Sequence, residues 1–503
     1  MPLAKTKAIA LFGLSGTLID VEADISSNLP NFILVGLPDA SLSESTSRVR
    51  AACTNSELAL PGRRITVNLS PAAVPKRGSS FDLAIAVSVL AAAGMLKKTS
   101  VAEWLHIGEL TLDGGIRRVN GVLPSLLAAK ELGWSRFIVP SENLAEAKAL
   151  EGIEIQSFDH LTQVAQFHGS EVAVKAPSIT PGSSPQADKA ALCYSDVLGQ
   201  DETIEAMVIA ATGGHHILMV GSPGSGKTMI AERLSSILPE LSPAQAIETA
   251  AVESLSGLPG GVSYLPPFRA PHHNSSASSL IGGGLAVPRP GVISLAHNGV
   301  LFLDEAPEFQ QPALEALRQP LEAGEVFITR ASGVAKFPAR FQLVMAANPC
   351  PCGFAWDPKR ACKCVEPAKS RYLNRLSGPL LDRIDISLRV NAVPKALQGK
   401  RGPASVELRE RVKAGRDFGQ KRLARTPWVL NAQVPGSYLR RHWKPAGSAV
   451  DGLDRALERG LVSMRGYDRC LRLAFTLADL DQVETPTVGH ISRAMFLRGA
   501  ELG

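Results

Sequence analysis

Eight consecutive residues carry the clearest chemistry in this sequence: Gly221-Ser222-Pro223-Gly224-Ser225-Gly226-Lys227-Thr228. They follow an apolar run, Ile217 to Val220, and precede a segment with helical periodicity. That is the strand–loop–helix setting in which a phosphate-binding loop works. Glycines let successive backbone N–H groups curl round phosphate oxygens, and the following helix turns its positive end toward them. In that setting Lys227 can reach β- and γ-phosphates, and the Thr228 hydroxyl can ligate Mg²⁺.

Two further runs supply what such a site needs. "GVLFLDEAPEF" (299–309) is four apolar residues ending in Asp304-Glu305. An acid at the carboxyl end of a strand beside a phosphate loop can hold the Mg²⁺ shell, and the adjacent Glu305 can polarise an attacking water. "FQLVMAANP" (341–349) reads as a third strand, and the Asn348 amide at its end can orient that water. Directly after it come Cys350-x-Cys352, nine residues, then Cys362-x-Cys364. Four thiolates suit tetrahedral zinc, although Cys-x₂-Cys pairs are commoner than Cys-x-Cys; four reduced thiols are the other reading.

The elements that must position these residues can be read from periodicity and punctuation. "RRITVNL" (63–69) and "SRFIVP" (135–140) have the pattern of buried strands, and "FDLAIAVSVLAAAG" (81–94) and "PSLLAAKELG" (124–133) that of helices. "KAPSITPGSSPQADKA" (175–190) is rich in Pro, Ser and Gly without apolar periodicity, so 171–192 reads as a linker. A second α/β block spans 193–392. Beyond it, "VELRERVKAGRDFGQKRLAR" (406–425) and "YDRCLRLAFTLADL" (467–480) are helical and basic. The expected fold is α/β: an α+β domain at 1–170, an ATP-site domain with a parallel sheet at 193–392, and a helical domain at 393–503.

A length of 503 residues fits about three domains. With 45% hydrophobic and 20% charged residues the chain is globular, not collagenous or disordered. The net charge of +6 is compatible with a polyanionic partner and does not by itself show one. Seven cysteines, an odd number in a long chain, argue against a secreted disulfide scaffold; Cys53, Cys193 and Cys470, the three outside the cluster, read as buried or inert. The longest mostly apolar run, Leu83 to Leu96, is too short to span a bilayer, and the apolar stretch Ala8 to Phe12 is short for a signal-peptide core. A cytoplasmic protein without a membrane segment is expected.

Taken together, these residues resemble the AAA+ ATPases of the magnesium-chelatase branch, and most closely the magnesium-chelatase-like ComM/YifB family. The landmarks include "VNLSPAAVPKRGSSFDLAIA" (67–86), "FRAPHHNSS" (268–276), "PGVISLAHNGVLFLDE" (290–305), "NPCPCG" (348–353), "SGPLLDRIDI" (377–386) and "SMRGYDRCLRLAFTLADL" (463–480). The resemblance covers nearly the whole chain. It implies ATP and Mg²⁺, with Lys227 and Thr228 as Walker A, Asp304 and Glu305 as Walker B, and Asn348 as sensor 1. Arg383 is implied as an arginine finger that completes a neighbouring subunit's site, and Arg465 as sensor 2 on a helical lid. A homo-oligomeric ring, a hexamer, follows from that. Two pore-facing insertions are implied, at about 255–290 and 325–340, and Arg330, Lys336 and Arg340 of the second are candidate phosphate contacts. For His272 and His273 a ligand or DNA role and a structural role stay open. Where the family often has an acid in "PGxISLAH", this sequence has Val292.

Residues 1–170 resemble the proteolytic domain of Lon, with Ser80 at or near the nucleophile's place. A Ser–Lys dyad needs a lysine base. Leu123 falls at that position, and Lys130, seven residues on, reads as solvent-facing, so a non-proteolytic scaffold or DNA-binding domain is expected. The function implied is a branch-migration helicase of homologous recombination in natural transformation, acting on single-stranded or branched DNA. The alternative is a chelatase-type or chaperone-like ATPase that remodels a protein partner.

Overall fold

The computed structural model describes residues 3–37, 39–76, 78–175, 192–258, 261–284, 288–330, 333–357, 360–392, 401–443, 445 and 447–498. Most of the segment read as a linker, 176–191, therefore lies outside the described residues, as does 393–400.

Alternation of apolar and polar residues builds the first sheet. In Arg64–Ser70 the side chains of Ile65, Val67 and Leu69 are buried, and in Ser15–Ser26 those of Ile19, Val21, Ala23 and Ile25 are buried. Across this seven-stranded mixed sheet the order is Asn31–Val35, Arg64–Ser70, Ser15–Ser26, Ala4–Phe12, Leu105–His106, Arg136–Pro140, Glu154–Phe158. The helix Asp82–Ala92, apolar all round, packs against it and is buried at every position.

The second sheet is parallel throughout, and its three central strands, Val300–Leu303, Gln342–Ala347 and Ile217–Val220, are buried at every position because both faces are covered. Its order is Phe268–Arg269, Val300–Leu303, Gln342–Ala347, Ile217–Val220, Ile386–Arg389. Ile217–Val220 is the earliest of these in the chain, yet it lies between the two latest. The connection out of it runs to one side of the sheet, and the connection out of its neighbour Gln342–Ala347 runs to the other, so a crevice opens at the carboxyl ends of these two strands. Gly221 begins there. The strands Val300–Leu303 and Gln342–Ala347 deliver Asp304 and Asn348 to the same edge.

Helices Ser405–Leu423, Gly436–His442, Gly447–Glu458, Met464–Leu480 and Val488–Arg498 complete the described chain. Leu471, Leu473, Ala474 and Phe475 of the fourth share one core with Ala206 to Ala211 and with the sheet residues Ile217 and Met219. No helix among the described residues is long and apolar enough to cross a membrane.

The hairpin Glu325–Arg330/Gly333–Pro338 is antiparallel, and it rests on the turn after Ala4–Phe12: a side chain at Gly13 would meet Ala335, and one at Gly333 would meet Phe12. Arg330 donates to the Gly284 carbonyl at 3.1 Å, so the two insertions expected from sequence lie side by side. Lys336 pairs with Glu325 at 2.6 Å, and Phe327 and Val334 are exposed apolar side chains of the same hairpin.

One sequence expectation needs correction. Cys53 and Cys470 are buried, and burial pushes their thiols up to about 12 and about 11. Cys193 is half-buried instead. Hydrogen bonds from Ser195 and from the Ser405 amide, at 3.4 Å, bring it down to about 7.

Candidate functional site

The glycine-rich loop leaves Val220 and enters the helix Lys227–Glu232. Gly224 and Gly226 hold φ of 76° and 93°, left-handed values that side chains disfavour, and nothing lies within 4 Å of where their Cβ atoms would be. The loop therefore stands open on its outer side. Gln200, which no motif marks in the sequence, fixes the inner side by donating to the Ser225 carbonyl at 3.1 Å and the Asn391 carbonyl at 2.8 Å.

Lys227 is buried, and its ammonium donates to the Gly221 and Ser222 carbonyls at 2.7 and 3.0 Å and to Asn348 Oδ1 at 3.3 Å. Burial draws its pKa below the ordinary lysine value, against the opposing pull of Asp304 and Glu305. Thr228 Oγ1 donates to Asp304 Oδ2 at 2.7 Å. Glu305 sits in the left-handed region at φ 50°, a strained conformation for a non-glycine residue that costs of order 1 kcal/mol or more. The Asp304 carboxylate accepts its amide at 2.9 Å, and His273 Nδ1 lies 3.3 Å from its carboxylate. That contact gives His273, left open by sequence, a definite neighbour; the His272 ring stacks on it at 4.1 Å.

Five predicted residues thus meet at one strand edge: Lys227, Thr228, Asp304, Glu305 and Asn348. The set fits a magnesium–nucleotide. Its donors near Thr228 are hard oxygens, the Ser225 hydroxyl is buried without a partner among the described residues, and the amine faces the loop's own carbonyls.

The two arginines lie elsewhere. Arg383 bonds Glu322 and the Pro379 carbonyl, and its Nε is buried without a partner among the described residues. Arg465, at the start of Met464–Leu480, is exposed and 3.4 Å from Asp382. Among the described residues, neither hydrogen-bonds the loop. A buried network that sequence did not reveal ties the helices to the sheet. His215 binds Asp385 at 3.1 Å and Thr476 at 2.7 Å, and Arg469 binds Asp385 at 2.8 Å. Burial opposes ionisation of Asp385, but Arg469, His215 and Arg472 outweigh it and hold the carboxyl well below its ordinary range.

The four clustered thiols do converge. Cys350 is buried, the others are half-buried, and all four Sγ atoms lie within 4.8 Å of one another.

Comparison with known proteins places this geometry. Residues 193–397 match the family model for magnesium chelatase, subunit ChlI; 21–143 match that for subunit ChlI of Mg-chelatase, and 402–498 match its C-terminal model. The chain is 40% identical over 508 residues to competence protein ComM of Haemophilus influenzae, covering 99% of this chain and 98% of that one. The chain belongs to the ComM/YifB family of magnesium-chelatase-like AAA+ ATPases. YifB of Escherichia coli is 38% identical over 506 residues, covering 100% and 98% of the two chains. An uncharacterized protein of Mycobacterium tuberculosis is 44% identical over 502 residues, 99% of each. As a member of the ComM/YifB family the chain is an ATPase, and the cluster around Lys227 is its candidate ATP site.

Proposed function

We propose that this ATPase is a cytoplasmic motor acting on DNA: a hexameric ring that drives branch migration in homologous recombination during natural transformation. The observation that carries the ATP-driven part is the meeting of Lys227, Thr228, Asp304, Glu305 and Asn348 at the sheet's switch point. Lys227 binds the β- and γ-phosphates, and Asn348 orients the water that Glu305 polarises, with His273 holding Glu305 in place. Thr228 and Asp304 would hold Mg²⁺, which when bound supplies charge neutralisation at the phosphate oxygens. Arg383 completes the site of the neighbouring chain, and Arg465 senses nucleotide from the helical lid, 393–503. Residues 1–170 form a non-proteolytic domain: the Lys130 ammonium donates to the Glu151 carbonyl at 2.6 Å, and Leu123 is buried.

DNA as the substrate is supported by the full-length likeness to a protein named for competence and by three cations, Arg330, Lys336 and Arg340, on and beside one hairpin. Six copies of that hairpin around one pore would line it with positive charge. The exposed Phe327 and Val334 favour the second reading, a chelatase-type remodeller that grips a protein partner. Binding of a labelled single strand and a branched junction across a salt series tests the choice. Arg330→Ala, Lys336→Ala and Arg340→Ala combined should weaken binding on every sequence and lower the salt slope by about one for each phosphate left without its cation. A wild-type protein that binds neither DNA at low salt favours the remodeller.

A further inference from the structure

Between Ala347 and Glu366 the described residues form no helix and no strand. A loop of that length is uncommon inside a compact domain without something to hold it. Among its described residues, the concentrated chemistry is the thiol cluster. The Sγ separations are 3.4 Å for Cys350–Cys352, 3.6 Å for Cys350–Cys362 and 3.6 Å for Cys352–Cys362. Four sulfurs on a tetrahedral zinc, each about 2.3 Å from the metal, stand roughly 3.8 Å apart, whereas a disulfide brings two to about 2.0 Å. The observed spacing is that of a ligand set. The Cys364 amide also points at Cys362 Sγ, at 3.4 Å, the kind of N–H donor that steadies a metal-bound thiolate.

The same loop touches the ATP site. Asn348, which contacts Lys227, precedes Cys350 by two residues. Gly353 sits between the cysteine pairs at φ 81°, and a Cβ there would lie 2.5 Å from Pro223 Cγ and 3.9 Å from Asn348 Cγ. Only a glycine lets this backbone lie flat on the glycine-rich loop. Trp356 anchors the far side, with the Arg389 guanidinium, at the end of Ile386–Arg389, 4.5 Å over its ring.

We propose that Cys350, Cys352, Cys362 and Cys364 bind one zinc ion as four thiolates, and that the metal presses this loop onto Pro223, so that nucleotide affinity depends on zinc occupancy. The second half rests on the ATP-site reading; the first does not. Removing the metal frees a loop of Cys350 to Cys364 from its clip. The backbone that supports Pro223 and Asn348 then loses its fixed position.

The test uses the full chain as purified. Elemental analysis should give about one zinc per chain, and the four thiols should stay unreactive toward a thiol reagent until a mercurial or chelator releases the metal. No zinc with all four thiols titratable, or bound iron with visible absorbance, overturns the site. Cys362→Ser should lose zinc and bind a fluorescent ATP analogue about tenfold more weakly, within the span seen for coupled sites. Gly353→Ala should keep zinc and still weaken the nucleotide, because it spoils the contact without touching a ligand. If Cys362→Ser does not fold, chelator-treated wild type with an unchanged circular dichroism spectrum supplies the same comparison. Zinc-free protein with wild-type nucleotide affinity overturns the coupling. Zinc-bound wild type that binds no nucleotide defeats the ATP-site reading, and the coupling with it, while the metal site stands.

Discussion

Lys227→Ala should lower steady-state phosphate release by at least about 10²-fold, the scale on which losing one fixed charge at a transferring phosphoryl group is felt. The amine is already buried against the loop's carbonyls, where burial disfavours its charge. A phosphate chain in the loop would replace those carbonyls with full negative charge, so its interaction with Lys227 strengthens as charge builds on the transferred group. The substitution should leave the fold intact. It removes hydrogen bonds to the Gly221 and Ser222 carbonyls and to Asn348 Oδ1, worth about 1 kcal/mol each, and no core packing. Phosphate release and thermal melting, measured on one preparation, separate the two effects. Retention of more than a tenth of wild-type turnover would place the chemistry elsewhere.

The second large effect concerns Arg383. Its partners within the chain are Glu322 and Pro379, not the glycine-rich loop. If it acts across a subunit boundary, Arg383→Ala should bind nucleotide with near wild-type affinity and lose about 10³-fold in hydrolysis, as the removal of an arginine finger does. A structural arginine would not behave so in the following mixture. Lys227→Ala chains carry an intact Arg383, and Arg383→Ala chains carry an intact Lys227. Mixed rings therefore contain composite sites with both groups, and hydrolysis should partly return when the two inactive variants are combined. No recovery on mixing, with assembly confirmed by light scattering, would mean that Arg383 serves its own chain.

Much of this site is legible in the sequence because its parts are local. Gly221 to Thr228 is one contiguous loop. Asp304-Glu305 and Asn348 each end an apolar run short enough to be a buried strand, and the cysteine pairs fall on one segment. The helices are readable for the same reason: Asp82–Ala92 and Met464–Leu480 carry their apolar residues at helical spacing or throughout. What sequence does not supply is long-range pairing. His215 meets Asp385 from 170 residues away and Thr476 from 261, and nothing in a lone histidine marks it as the joint between the sheet and the C-terminal helices. Gln200 reaches the loop from a preceding helix cap, and glutamine is ordinary there. His273 acquires its meaning only when the fold brings it to Glu305. Cys193 departs from expectation because a lone cysteine is most often buried; here it is half-buried and serine donors reach it.

The central claim, that this ATPase moves DNA, is tested most directly by strand exchange on a synthetic three- or four-way junction. With Mg²⁺ and ATP the wild-type protein should convert the junction to its migrated products, and Lys227→Ala should bind the junction and leave it unmoved. Migration that persists in Lys227→Ala, or a wild type that hydrolyses ATP and never moves a junction, would contradict the motor.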